Sequence, residues 1–172
     1  KDEHKSRDTI TTADAMASPS ETTVLLPAFN EAGAIRDVIA PLKRVADWHA
    51  VVVIDDGSTD DTARLAAEAG AHVIRHPYNK GNGASIKTGI RAVESKYAVI
   101  MDADGQHLAQ DLPAFIAAAN EPDAHIILGN RMLNVDKMPY VRVVTNKFMS
   151  WLISAISKQQ IPDSQCGFRL IK

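Results

Sequence analysis

The sequence is poor in cysteine. Cys166 is the only one, so no intrachain disulfide can form and a disulfide-stapled secreted scaffold is excluded. With no partner thiol, Cys166 reads as a packing residue rather than a nucleophile. Long apolar runs are also missing. The strongest helical candidate, residues 148–157, stops at Lys158 and is too short to span a bilayer. No signal peptide opens the chain. Neither G-x-G-x-x-G nor G-x-x-x-x-G-K-[ST] occurs, which removes support for a dinucleotide fold and a P-loop. None of the histidines stands at a zinc-type spacing with another ligand. The formal net charge is −2, which excludes a strongly basic nucleic-acid binder. No repeat and no low-complexity tract appears.

What is present fits one domain. The chain has 172 residues, 45% of them apolar, enough for a sizeable core. The charge is unevenly spread. Residues 24–130 carry 9 basic and 14 acidic side chains, whereas residues 131–172 carry 7 and 2. A basic end suits a phosphate-bearing partner or an anionic surface, and equally a solvated face that balances an acidic neighbour.

Residues 1–22 are polar and aperiodic, and are expected to form a disordered leader. Ordered structure is expected from Thr23. Apolar runs predict strands at 24–26, 51–54, 72–75, 97–101 and 126–128. Helices are expected over 31–45, with Pro41 a kink or early end, and over 62–69, 83–94 and 112–120. Asp60 is the expected cap of the second helix and Gly70 its stop. Strands alternating with helices through short connections predict an α/β domain with a mostly parallel sheet. Ligands bind such sheets beyond the carboxyl ends of the strands.

Three acidic clusters fall at those ends: Glu31 after the first strand, Asp55-Asp56 after the second, and Asp102-Ala103-Asp104 after the fourth. Two carboxylates at i and i+2 in a turn can converge on a hard divalent cation, and Gln106 offers a further oxygen. Mg²⁺ or Mn²⁺ is the expected ion, its shell completed by substrate phosphates. Taken alone, Asp-x-Asp-Gly is also an ordinary polar turn. Asp55 and Asp56 can accept from a base N–H or a ribose hydroxyl, and Phe29 can stack on a base or pack on the first helix. Asn79 to Ala84 opens the third helix with glycines that permit close approach of an anion. His107 follows Gln106 and suits either the metal site or a hydrogen-bonded structural role. Residues 139–157 predict an amphipathic helix with Val141, Val144, Phe148, Trp151, Leu152 and Ala155 on one stripe. That stripe can lie on a membrane or pack against the sheet.

Pro27 to Glu31, Asp55 to Asp60, Asn79 to Ala84, Asp102 to Gln106, Gly129-Asn130-Arg131 and Asp163 to Arg169 follow one another in an order that resembles glycosyltransferase family 2. Within that family the likeness is to the polyprenyl-phosphate sugar transferases, the dolichyl-phosphate mannose and glucose synthases and their bacterial relatives. It runs from about Thr23 to the end. The resemblance implies a GT-A fold and an inverting, metal-dependent hexosyltransferase with a UDP- or GDP-sugar donor and a polyprenyl phosphate acceptor, working at the cytoplasmic face of the membrane. It implies that Pro27, Phe29, Glu31, Asp55 and Asp56 line the nucleoside pocket and that Asp102 and Ala103 meet the donor. Asp104 and Gln106 would hold the metal, and Arg131, Arg142 and Arg169 would face phosphates of donor or acceptor. It also implies that the catalytic domain, 23–172, is incomplete at its C-terminal side, and that helix 139–157 is a membrane-interface helix.

Asn82 replaces a lysine common in the family, which leaves donor preference open, while Gln165 to Phe168 lean towards glucosyl transfer. A sugar-hydroxyl acceptor would require a general base, for which Asp163 is the candidate. Other readings are a haloacid-dehalogenase-type phosphatase with Asp102 as nucleophile, a nucleotidyltransferase that lacks its glycine-rich loop, and an inactive nucleotide-binding fragment.

Overall fold

The computed structural model describes residues 16–105, 107–121, 124–130, 140–161, 163 and 166–172, with only the backbone of Tyr140, Val141 and Arg142. Six strands form one sheet: β1 (Thr22–Ala28), β2 (Ala50–Asp55), β3 (His72–Arg75), β4 (Tyr97–Ile100), β5 (Ile126–Leu128) and β6 (Arg169–Ile171). Their order is β3-β2-β1-β4-β6-β5. β1 pairs with β2 and β4, and β2 with β3, all parallel. β6 runs antiparallel between β4 and β5. The expected α/β, mostly parallel architecture is therefore present. The strand at 169–171 is absent from the sequence reading, because three residues carry too little period to register.

Alternation along the strands divides the core. Val24, Leu26, Val51, Val53 and Val99 face one side of the sheet, with Ile35, Val38, Ile39 and Leu42 of helix α1 (Ile35–Val45), Ala66 of α2 (Thr62–Glu68), and Leu112 and Ile116 of α4 (Leu112–Ala118). Leu25, Val52, Ile54, Ala98 and Ile100 face the other side, where Ile86 of α3 (Asn82–Arg91) packs. Gly89 lets α3 lie close, since a Cβ there would stand 2.9 Å from Ile54 Cδ1.

Several expected boundaries move, among them the end of the third helix, at Arg91 rather than 94. The first helix starts at Ile35, not Glu31, because residues 31–34 turn: the Glu31 carbonyl accepts from the backbone of Ala34 and Ile35. Pro41 neither ends nor splits α1, whose four buried apolar residues lie on both sides of it. The chain is also ordered before the expected start. Ala17 is buried and its N–H donates to Asn120 Oδ1 at 2.6 Å, Glu21 pairs with Lys96 at 2.6 Å, and β1 begins at Thr22. Residues 16–22 thus belong to the folded unit, and the rest of the expected leader lies outside the described residues.

Helix α5 (Tyr140–Ser157) forms where expected, and of the two expected placements of its apolar stripe the one against the sheet is not seen. Asn146 and Ser150 are buried, whereas Val144, Phe148, Trp151 and Ile156 are exposed, Trp151 at 65%. Polar partners account for this orientation. Asn146 Nδ2 donates to buried Asp163 at 2.8 Å, and the Ile161 N–H donates to Ser154 Oγ at 2.9 Å. Among the described residues, no helix is long and apolar enough to cross a membrane.

Leu42→Ala, in the core, is expected to cost about 2–5 kcal/mol in a denaturant titration. Trp151→Ala is expected to change stability by no more than about 0.5 kcal/mol, because the ring packs on little. A large loss at Trp151 would show that α5 is oriented otherwise.

Candidate active site

Three loops at the carboxyl ends of β1, β2 and β4 build the site, and side-chain hydrogen bonds join the first two. Asn30 adopts φ +57°, a conformation asparagine tolerates, and its N–H donates to Ser58 Oγ at 2.9 Å. Its Oδ1 accepts from the Thr59 N–H at 2.9 Å. The Glu31 N–H donates to Thr62 Oγ1 at 2.8 Å, and Asp60 Oδ2 accepts from Ala32 N–H at 3.1 Å. Asp60 also accepts from the Thr62 N–H at 3.0 Å, so it serves the start of α2 as expected, although one residue before the cap position. Gly57, at φ +75°, lets the loop after β2 lie against the segment after β3: a Cβ there would lie 2.5 Å from the backbone of Tyr78.

The loops enclose a cleft of about 340 Å³. Pro27, Phe29, Glu31, Asp56, Asp102, Ala103 and Asp104 line it, together with Asn79, Gly81, Asn82 and Ser85 at the start of α3. Seven residues nominated from sequence therefore share one cavity. Asp55 does not join them. It is fully buried, its Oδ1 accepts from the Ser58 N–H at 3.0 Å, and its Oδ2 stands 3.0 Å from Arg75 Nε. Its task is to hold the turn, not to meet a nucleoside.

Asp56 is buried and immobilised. Its Oδ1 accepts from the Lys80 N–H at 2.9 Å and stands 2.7 Å from His76 Nδ1, and its Oδ2 accepts from Gly81 N–H at 2.7 Å. Burial alone would raise its pKa. The bonds from His76, Lys80 and Gly81 outweigh burial and hold the carboxyl below its ordinary value. Glu31 shows the reverse balance: burial first, then the charges of Asp104 and Asp60, push it up.

Asp102 is placed by a contact the sequence did not reveal. Gly167 approaches it so closely that a Cβ there would lie 2.2 Å from Asp102 Oδ2. His107 Nε2 stands 3.3 Å from the same oxygen, and its ring leans on Phe168 at 5.1 Å between centroids. The 166–168 stretch thus supports the Asp102 carboxylate, and His107 contacts Asp102.

Comparison with known proteins decides the family. The model of the family described as glycosyl transferase family 2 matches residues 23–172.

The chain belongs to glycosyltransferase family 2.

It is 31% identical over 157 residues to glycosyltransferase AglJ of Haloferax volcanii, covering 90% of this chain and 51% of that one. It is 26% identical over 178 residues to the dolichyl-phosphate beta-glucosyltransferase of Saccharomyces cerevisiae, covering 86% and 53%. A solved structure of glucosyl-3-phosphoglycerate synthase from Mycobacterium tuberculosis, in complex with Mn²⁺, UDP-glucose and phosphoglyceric acid, superposes with a TM-score of 0.72 at 20% identity. That match covers 98% of this chain and 62% of the other, and the shared fold is GT-A. The family 2 chain described here spans about half to two thirds of these relatives.

A divalent ion fits the acidic cleft only in one manner. Among the described residues no group of three or more His, Cys, Asp or Glu side chains could hold a metal, so no protein cage is preformed. Asp104 is exposed at the cleft, and its charge already raises Glu31. Such a site suits Mg²⁺ or Mn²⁺ held by few side chains and chiefly by substrate phosphates. Gln106, Arg131 and the side chain of Arg142 lie outside the described residues. Arg169 is half-buried on β6, donates to the Cys166 carbonyl at 3.2 Å, and lines a separate cavity of about 480 Å³ with Ile126, Leu128, Ile153 and Ile171.

The two glycines are expected to fail differently. Gly57→Ala meets backbone and a positive φ, and should cost on the order of 2–4 kcal/mol on chemical unfolding. Gly167→Ala meets only a side chain. It should leave stability nearly intact and displace the Asp102 carboxylate, which a structure of the variant would show. The pH dependence has a definite sign. Asp56 and Asp60 both have lowered pKa values, so their contribution is full above the ordinary value of 3.8 and is lost as pH falls below it towards their folded values. Asp56→Asn should flatten that acid limb in thermal melts from pH 5 down to about 2.

Proposed function

We propose that this protein is an inverting hexosyltransferase that moves a sugar from a UDP- or GDP-sugar to a polyprenyl phosphate. The observation that carries the reading is the cleft itself, where Glu31, Asp56, Asp102 and Asp104 from three strand ends meet the glycine-bearing start of α3. Neutral ligands have little use for four carboxylates. A nucleotide-sugar does: its base and sugar offer N–H and O–H donors, and its diphosphate brings a divalent ion.

The lipid acceptor is supported from two sides. Among the relatives are the dolichyl-phosphate beta-glucosyltransferase and, at 27% identity, the UDP-N-acetylglucosamine–dolichyl-phosphate N-acetylglucosaminyltransferase of Methanococcus voltae. The exposed apolar face of α5, with Phe148, Trp151 and Ile156, gives the chain a surface suited to the membrane boundary. In this reading the chain works at the cytoplasmic face.

The chemistry is one in-line displacement. An acceptor phosphate oxygen forms the new bond to the anomeric carbon as the bond to the nucleotide diphosphate breaks, which inverts the centre. A phosphate monoester is ionised near neutral pH, so the acceptor needs no strong base. The sugar-hydroxyl alternative loses its nominated base, because Asp163 is buried and bonded to Asn146. Mg²⁺ or Mn²⁺, when bound, offsets charge on the departing diphosphate. Asp104 is the residue that would hold it, with Gln106. Asp102 orients the donor sugar, and Pro27 and Phe29 shape the nucleoside end of the cleft.

Thermal melts with UDP or GDP, each with and without Mn²⁺, test the donor site. At a hundredfold excess over Kd, one nucleotide should raise the midpoint by about 5–10 °C, and only with metal. Asp104→Ala should remove the metal dependence. No shift with either nucleotide in a folded sample would sink the proposal. Transfer from the binding UDP- or GDP-hexose to a polyprenyl phosphate in vesicles, and not to free sugars, tests the acceptor.

A further inference from the structure

Asp102 lies on the loop after β4, where a carboxylate has no strand to fix its direction. Its side chain is 36% exposed and lines the cleft. Contact comes from the segment before β6, where Gly167 closes on the carboxylate, and from His107, whose Nε2 stands 3.3 Å from Oδ2. His107 is the buried member of this pair, with 7% of its side chain exposed. An ionised carboxylate has only lone pairs to offer, so the contact requires the proton on Nε2. A nitrogen that carries that proton has no lone pair for a metal ion. Nε2 therefore serves Asp102 and not the cation.

Packing fixes where that proton points. The His107 ring leans on Phe168, and the Phe168 ring stacks on Phe115 of α4 at 4.0 Å between centroids. Phe168 is itself buried, and its carbonyl accepts from the Gly129 N–H at 2.9 Å. A Cβ at Gly129 would lie 3.3 Å from Phe115 Cζ, so this wall closes tightly on the stack. Three rings thus run in series from α4 to the edge of the cleft, and the last of them carries a donor. A ring locked by packing can hold its partner in one orientation, which the loop alone cannot do.

We propose that His107 is a positioning residue for sugar transfer, whose Nε2–H fixes the Asp102 carboxylate in the orientation that accepts from a hydroxyl of the donor sugar. The inference rests on the transferase reading and deepens it. In-line displacement needs the sugar held in one pose, and a carboxylate that rotates cannot hold it. Pro27, Phe29 and Asp56 shape another part of the cleft. A loss at His107 therefore falls on recognition of the sugar and spares the nucleotide.

Titration calorimetry with Mn²⁺ tests this by comparing UDP-glucose with UDP, and GDP-mannose with GDP, on the 172-residue chain and its variants. His107→Phe keeps a ring against Phe168 and removes the N–H. His107→Gln removes the ring and keeps an N–H near the place of Nε2. In whichever pair binds, His107→Phe should leave the nucleotide within about twofold and weaken the nucleotide-sugar about tenfold, the worth of a hydrogen bond to a charged group. His107→Gln should recover most of that loss. Asp102→Ala should lose a similar increment, and adding His107→Phe to it should cost little more. Binding stoichiometry counts the folded fraction, so partial unfolding leaves the affinity ratio unchanged. A purely structural role reverses the ranking, with Phe tolerated and Gln not, and overturns the inference. So does equal weakening of nucleotide and nucleotide-sugar with loss of the Mn²⁺ response, which would place His107 at the metal. An unchanged ratio in every His107 variant also overturns it and leaves the transferase reading standing. Failure of every nucleotide to bind overturns both.

Discussion

The immobilised Asp56 carboxylate is the constraint on which the site depends. It follows β2, accepts from the loop that precedes α3, and contacts His76, which follows β3. An ionised carboxylate in a nearly dry environment is expensive unless donors surround it. Here those donors are backbone groups of Lys80 and Gly81, so satisfying the charge also shapes the loop. Gly81, at φ +90°, is the residue best able to turn its N–H inward. One buried charge therefore sets the spacing between the sheet and the helix that closes the cleft.

A second layer of constraint works without charge. Asn30, Ser58, Thr59, Asp60 and Thr62 tie the first two strand-end loops together, so the backbone there is stiff even though it is not regular structure. The cleft needs this rigidity. Several carboxylates pointing at one space repel each other, and a soft loop would let them separate. The raised pKa of Glu31 reflects burial first, and then the nearby charges of Asp104 and Asp60.

Much of this was legible in the sequence. β-branched runs such as Val51 to Ile54 announce strands whatever surrounds them, and alternation with helices fixes the parallel core. Strand ends then locate Glu31, Asp56, Asp102 and Asp104, which do share one cavity. Other features were not legible, each for a reason. Asp55 is chemically indistinguishable from Asp56 until the alternation of the strand turns it towards Arg75. The stripe on α5 was read correctly as a stripe, but the direction it faces depends on Asn146 meeting Asp163, 17 residues away. Gly167 carries no local signal for its contact with Asp102. His76 looked idle because it is neither near a thiol nor paired with another histidine, and its partner Asp56 lies 20 residues earlier.

The placement of β6 has a consequence for how the molecule assembles. β5 pairs with β6, and β6 joins it to β4, so the far edge of the sheet stays open until residues 169–171 dock. Arg169 pairs with Ile100, a closure across nearly seventy intervening positions that is slow relative to the local β1–β2 and β2–β3 units. The same docking step delivers Gly167 against Asp102. During synthesis the part of the cleft built on β1, β2 and α3 can therefore form before Asp102 acquires its support.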